Sequence, residues 1–162
     1  MSSINPFIDE LQQHHKPLTQ PLVTKPLVIQ HKPQIRATRS DKLHNIKFPI
    51  DENLRLELKR LKKVCAPAYY RKYSEKLEQT KFNSLLLSRG LNTQKDHIDW
   101  KQSYKDSGRY MHVVINEIDY NEIGGGYGIA ILKDISERRA VYCIMKAMIR
   151  WVKNGGSLEE IL

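Results

Sequence analysis

A chain of 162 residues suits one domain or two very small ones, because a hydrophobic core needs roughly 50 or more residues to hold itself together; an independent multi-domain enzyme is not expected. Lys and Arg number 27 against 18 Asp and Glu, a formal net charge of +9, and the excess is uneven: residues 1–50 carry 7 basic and 3 acidic side chains, residues 51–110 carry 14 and 8, and residues 111–162 carry 6 and 7. A polyanionic partner would therefore be felt first by the N-terminal two thirds, solubility alone being the other reading of such a balance.

Cys65 and Cys143 lie far apart inside apolar helical patterns and read as buried free thiols of a reducing compartment. Residues 1–20 lack the basic-then-apolar order of an export signal, and no apolar run of about 18 residues is available to span a bilayer. A cytoplasmic protein is expected.

Residues 1–43 hold Pro6, Pro17, Pro21, Pro26 and Pro33 among Gln, His, Lys and Thr. Such a composition buries too little apolar surface to offset its ordering entropy, and a disordered, basic, Pro-rich arm is expected. From Asn45 the pattern tightens. Ile46, Phe48 and Ile50 alternate with Asn45, Lys47 and Pro49, as in a strand with one buried face. Pro49 lacks a ladder donor and confines that strand to an edge or a two-stranded ribbon. Asp51 then suits an N-cap, and Leu54, Leu58, Leu61 and Cys65 recur at helical spacing, predicting a helix to about Ala66 that Pro67 stops.

Residues 69–79 are helix-compatible, with Tyr69, Tyr70 and Tyr73 expected to pack against a neighbouring helix. Thr80 is expected to cap a further helix on which Phe82, Leu85, Leu86 and Arg89 share a face, and Gly90 to close it. Residues 92–108 read as a polar linker. Then Tyr110-Met-His-Val-Val-Ile-Asn116 lies on Asn45-Ile-Lys-Phe-Pro-Ile-Asp51 without a gap: Met111, Val113 and Ile115 match the inward residues, Tyr110, His112 and Val114 the outward ones, and Asn116 the cap. Ser136 caps a last helix, with Val141, Ile144, Met145, Met148, Ile149 and Val152 as an apolar stripe ending at Asn154-Gly155-Gly156. The chain thus reads as two strand–helix–helix units, residues 44–91 and 109–156, the second degenerate, with a tail at 157–162.

Neither strand satisfies its own backbone, so the two need each other or copies from another chain. Paired antiparallel, they would bury one face on the helices and turn Asn45, Lys47 and Pro49 outward beside Tyr110, His112 and Val114. A two-stranded ribbon fits the DNA major groove, where such side chains meet base edges.

In these residues, Arg39-Ser-Asp-Lys-Leu-His-Asn-Ile-Lys-Phe-Pro-Ile-Asp51 with its following helix and Thr80-Lys-Phe-Asn-Ser-Leu-Leu-Leu-Ser-Arg-Gly-Leu91, the chain resembles the ribbon-helix-helix family of DNA-binding proteins, the MetJ/Arc class. Tyr110–Asn116 and Ser136–Val152 are similar to a second unit. The resemblance implies a mainly α fold with a short β ribbon that enters the major groove. It also implies phosphate contacts at Thr80, Lys81, Ser136 and Arg138, where helix N-termini favour an anion. Arg36, Arg39 and Lys42 join these as contacts from the arm. The tandem arrangement is similar to relaxosome accessory proteins of conjugative plasmids, which implies a repressor or relaxosome role in a mobile element, self-association on double-stranded DNA, and a relaxase as a further partner.

Gly124-Gly-Gly-Tyr-Gly128 interrupts the second unit's first helix at about 1 kcal/mol for each glycine, so that helix is expected short, broken or absent. The competing local fold is a hairpin of residues 110–119 and 127–135 with the last helix across it. On that reading the second half is a small α/β module, similar at its end to a PAS sensor domain, and the protein is a non-catalytic interaction or sensor module with a basic arm. No catalytic residue, metal site or cofactor is expected. The glycines lack the Lys-Ser/Thr of a phosphate cradle, and His14, His15, His31 and His44 lack ligand spacing and read as solvated. Asp96, Asp99, Asp106, Glu117, Asp119 and Glu122 read as solvated loop charges, not a nuclease's metal cluster.

Because the arm is expected to contribute nothing to the core, deleting residues 1–34 should leave a single cooperative thermal transition with unchanged midpoint, as followed by circular dichroism; loss of that transition would refute the assignment.

Overall fold

The computed structural model describes residues 41–93 and 95–162. Residues 1–40 of the expected arm, with its histidines at 14, 15 and 31 and the expected contacts Arg36 and Arg39, lie outside the described residues, and Leu43, its last residue, already belongs to the first strand. The alternation from Leu43 onward produces strand β1, Leu43–Pro49, and its counterpart produces β2, Tyr110–Asn116. The two pair antiparallel within one chain, with Lys47 opposite His112 and Ile46 opposite Val113. Ile46, Phe48, Val113 and Ile115 are buried beneath the ribbon. One further bond, from Ile50 N–H to the Arg109 carbonyl at 3.0 Å, extends the pairing past Pro49.

Asp51 caps helix α1, Glu52–Tyr73, by accepting from Leu54 N–H at 2.6 Å. The helix runs on through Pro67, against the expected stop. Pro67 is exposed, so its ring meets no packed neighbour, while Leu54, Leu58, Cys65 and Tyr69 keep one continuous stripe in the core. Contacts beyond the proline work against the roughly 3 kcal/mol that it costs a helix interior: Tyr69 is buried, and Lys72 Nζ and the Tyr73 hydroxyl donate to the Leu162 carbonyl at 2.8 and 2.7 Å. Tyr69 is buried as expected, and Tyr70 is exposed instead of packed.

Helix α2 spans Gln79–Thr93. It begins one residue before Thr80, which therefore lies inside the first turn and is not its cap. Nor does Gly90 end it. The helix continues to Thr93, and Gly90 marks a close helix crossing: a Cβ there would sit 2.6 Å from Ile144 Cγ2 and 2.9 Å from Met148 Cγ. Those two side chains belong to helix α5, Glu137–Lys153, capped by Ser136 through Arg139 N–H at 3.2 Å. Between β2 and α5 the glycine segment gives two short helices, α3 at Glu117–Gly124, capped by Asn116, and α4 at Ile129–Leu132. The hairpin alternative is thereby corrected, since residues 127–135 form no strand. Gly128 seals the break, because a Cβ there would lie 2.6 Å from the Ile123 carbonyl oxygen.

The described residues belong to one compact unit with a common core of ribbon, α1, α2 and α5, so the two strand–helix–helix segments are halves of one body. Residues 92–108 are more than a polar linker: a 3-10 turn at Lys95–His97 is followed by buried Ile98, and Trp100 and Tyr104 pack on the core. Residues 157–162 end in a 3-10 turn, Leu158–Ile161, with Ile161 buried and the Leu162 carbonyl accepting from Lys72 Nζ at 2.8 Å. Both cysteines are free and buried, and burial pushes the Cys65 thiol up to about 11. The architecture is mainly helical with a two-stranded antiparallel sheet, and no described helix is long and apolar enough to cross a membrane.

Gly90→Ala adds about 1 kcal/mol of helix propensity but forces Ile144 and Met148 from their positions, a change that costs about 1–3 kcal/mol in packed cores. A net loss of up to about 2 kcal/mol is expected from urea denaturation; a variant more stable than the parent would contradict the close crossing.

Candidate nucleic-acid interface

The register puts Asn45, Lys47 and Pro49 of β1 on the same side as Tyr110, His112 and Val114 of β2, away from Ile46 and Val113. Of the six, Asn45, Lys47 and Tyr110 are exposed, and His112 and Val114 are partly exposed. Pro49 is buried at the ribbon's end and is corrected as a contact residue; next to it Ser107 Oγ donates to the Ile50 carbonyl at 2.6 Å.

The exposed side chains are partly organised by bonds within the chain. His112 Nδ1 lies 3.0 Å from Asn45 Oδ1 across the strands. With the amide oxygen accepting, Nδ1 carries the proton, and Nε2 of the neutral ring is left as an acceptor beside the free Asn45 amino group. Lys47 makes no ion pair among the described residues, so its three donors stay available. Tyr110 is held at the ribbon's end by donating its hydroxyl to Asp106, 2.6 Å to Oδ2. That bond raises the phenol's pKa, while the same bond and the Gly108 N–H hold the Asp106 carboxyl below its usual value.

Two helix starts flank this face. The first two turns of α2 lie along the free edge of β2: Val114 N–H donates to Ser84 Oγ at 2.8 Å, Ser84 Oγ donates to the Thr80 carbonyl at 2.8 Å, and Asn83 Nδ2 donates to the His112 carbonyl at 3.1 Å. Thr80 is half-buried and Lys81 exposed. At α5, Ser136 and Arg138 are exposed, and Arg138 acts electrostatically on both Asp106 and Tyr110. Lys42 is exposed and pairs with Glu117 at 3.8 Å.

Sequence reasoning missed the clasp. Asn83, 1% exposed, is the buried polar residue of the described core and accepts from Gln79 Nε2 at 3.0 Å. Two polar residues interrupting the apolar run from Phe82 to Leu87 were the available signal, since a polar side chain on a buried face implies a partner there. His44 is also corrected. It turns under the ribbon, stacked on Tyr120 with ring centroids 3.7 Å apart and paired through Nε2 with Glu117, while Tyr120 donates to Glu137 Oε1 at 2.8 Å. This network ties β1 to α3 and α5. Among the described residues, no group of three or more His, Cys, Asp or Glu side chains is arranged to hold a metal ion.

No family model, curated protein or solved structure matches the chain.

Ser84→Ala leaves the Val114 N–H without its acceptor at a half-buried edge. A loss of about 1–3 kcal/mol is expected, together with faster hydrogen exchange at the Val114 amide; unchanged exchange there would show that the clasp does not hold the strand.

Proposed function

We propose that the protein binds double-stranded DNA sequence-specifically and without catalysis, as a tandem ribbon-helix-helix protein in which one chain supplies both halves. The observation that carries the reading is the antiparallel ribbon of β1 and β2 with its polar face outward. A ribbon of this width suits the major groove. Lys47 would donate to guanine O6 or N7, and Asn45 and His112 would offer a donor and an acceptor to neighbouring bases. Tyr110 and Val114 bound the reading face.

Backbone contacts then set the register. The first turns of α2 and α5, with Thr80, Lys81, Ser136 and Arg138, present N–H groups and positive charge to phosphates, and Lys42, Arg36 and Arg39 extend the contact along the duplex. Asp106 works against a phosphate near Tyr110, and Arg138 offsets it. A repressor or relaxosome-organising role in a mobile element, with self-association on DNA and a relaxase as partner, follows from the same reading.

Selection from a random duplex library, followed by anisotropy titrations against the selected and a scrambled sequence over a range of salt, tests the reading. Lys47→Ala should cost about 1–3 kcal/mol on the selected site only. Lys81→Ala should weaken both sequences alike and lower the salt slope by about 1. Equal affinity for selected and scrambled DNA at every salt concentration would remove base readout, because phosphate contacts carry no sequence information.

A further inference from the structure

Helix α1 has two faces, and the core uses one. Leu54, Leu58, Cys65 and Tyr69 are buried. On the other side, Leu56, Arg60, Lys63, Pro67 and Tyr70 recur at alternating intervals of four and three residues, the spacing that keeps side chains on one side of a helix. Val64 adjoins them. Leu56, Val64 and Tyr70 are large apolar side chains at 52%, 57% and 62% exposure. Scattered apolar residues on a surface need no explanation, but Leu56 and Tyr70 share one stripe of a 22-residue helix roughly 33 Å long, with Val64 at its margin.

The charge on the stripe is uncompensated. From residue 58 to residue 73 the helix holds Lys59, Arg60, Lys62, Lys63, Arg71 and Lys72 and no acid. The two acids of its first turns are already engaged, Glu52 by Arg55 and Arg109 and Glu57 by Lys153. Lys59, Arg60, Lys62, Lys63 and Arg71 make no ion pair among the described residues. Like charges one turn apart, as in Lys59 with Lys62 and Lys63, destabilise a helix. An anionic partner would relieve that repulsion.

We propose that this face of α1 docks an acidic, amphipathic helical segment of a protein partner. The apolar residues decide between anions. A phosphate backbone would satisfy the cations but would gain nothing from covering Leu56, Val64 and Tyr70, whereas an acidic helix with leucines on one side buries all three and pairs its carboxylates with Arg60 and Lys63. Helix-on-helix recognition of this kind reads anchors at one-turn spacing. The surface is separate from the ribbon face and does not depend on whether the ribbon reads DNA.

The test uses the full chain and a fluorescein-labelled helical peptide of about six turns, with leucines along one side at one-turn spacing and glutamates beside them. Two control peptides replace the leucines by serine or the glutamates by glutamine. The parent protein should bind the first peptide at least tenfold more tightly than either control. Two variants that change exposed side chains only, K59Q/R60Q/K63Q and V64S/Y70S, should each lose at least tenfold in peptide affinity while keeping the parent's far-ultraviolet spectrum and cooperative melting, K59Q/R60Q/K63Q at a melting temperature no lower than the parent's because it relieves like-charge repulsion. Indifference to the leucines, in the peptide or in V64S/Y70S, would overturn the proposal. So would absence of peptide binding combined with weaker binding of a mixed-sequence duplex by K59Q/R60Q/K63Q, an outcome that would give the stripe to a nucleic-acid backbone.

Discussion

A seven-residue strand has backbone donors and acceptors on both edges and cannot bond to itself. In this chain β1 and β2 solve the problem for each other, and most of the architecture follows from that pairing. Because they run antiparallel in a register that opposes Ile46 to Val113, the large apolar side chains Ile46, Phe48, Val113 and Ile115 fall on one side. That side needs a cover, and the cover is the bundle of α1, α2 and α5. The pair still leaves one edge of β2 unpaired, and α2 meets it with side chains instead of a third strand. Asn83 and Ser84 stand in for a backbone ladder. Side chains reach where a strand's backbone would have demanded several more residues.

Much of this was legible in the sequence because period-two and period-3.6 patterns leave different marks. The alternation through Ile46, Phe48 and Ile50 and its echo at Met111, Val113 and Ile115 carried both strands, their inward faces and the caps Asp51, Asn116 and Ser136. The misses share a cause: a local rule was overruled by a tertiary contact that no local rule encodes. Pro67 signals a stop by its own chemistry, yet the residues on either side had a core to join. Gly90 looks like a terminator, yet its small size serves the crossing with Ile144 and Met148. Pro49 belongs to the outward set by alternation, yet it is buried where the chain leaves the ribbon.

The candidate site was legible to the same degree. Alternation alone grouped Asn45, Lys47, Tyr110 and His112 on one face. What it could not supply was the bond from His112 to Asn45, which depends on the offset between strands 67 positions apart, the distance in sequence between those two residues. His44 shows the opposite failure, since its pairing with Glu117 and its stacking on Tyr120 come from a helix whose position no pattern in residues 40–50 foretells.

Making the ribbon within one chain has a consequence for its birth at the ribosome. β1 ends at Pro49 and β2 is complete at Asn116, so 67 further residues must be synthesised before the first strand has its partner. At ordinary elongation rates that interval is roughly 3–13 s. Throughout it, Ile46 and Phe48 have no sheet to join and the strand's edges are open to any other extended chain. The proline at the end of β1 and the lysine in its middle are the two side-chain types that discourage such pairing, which gives Pro49 and Lys47 a use before the protein has folded at all.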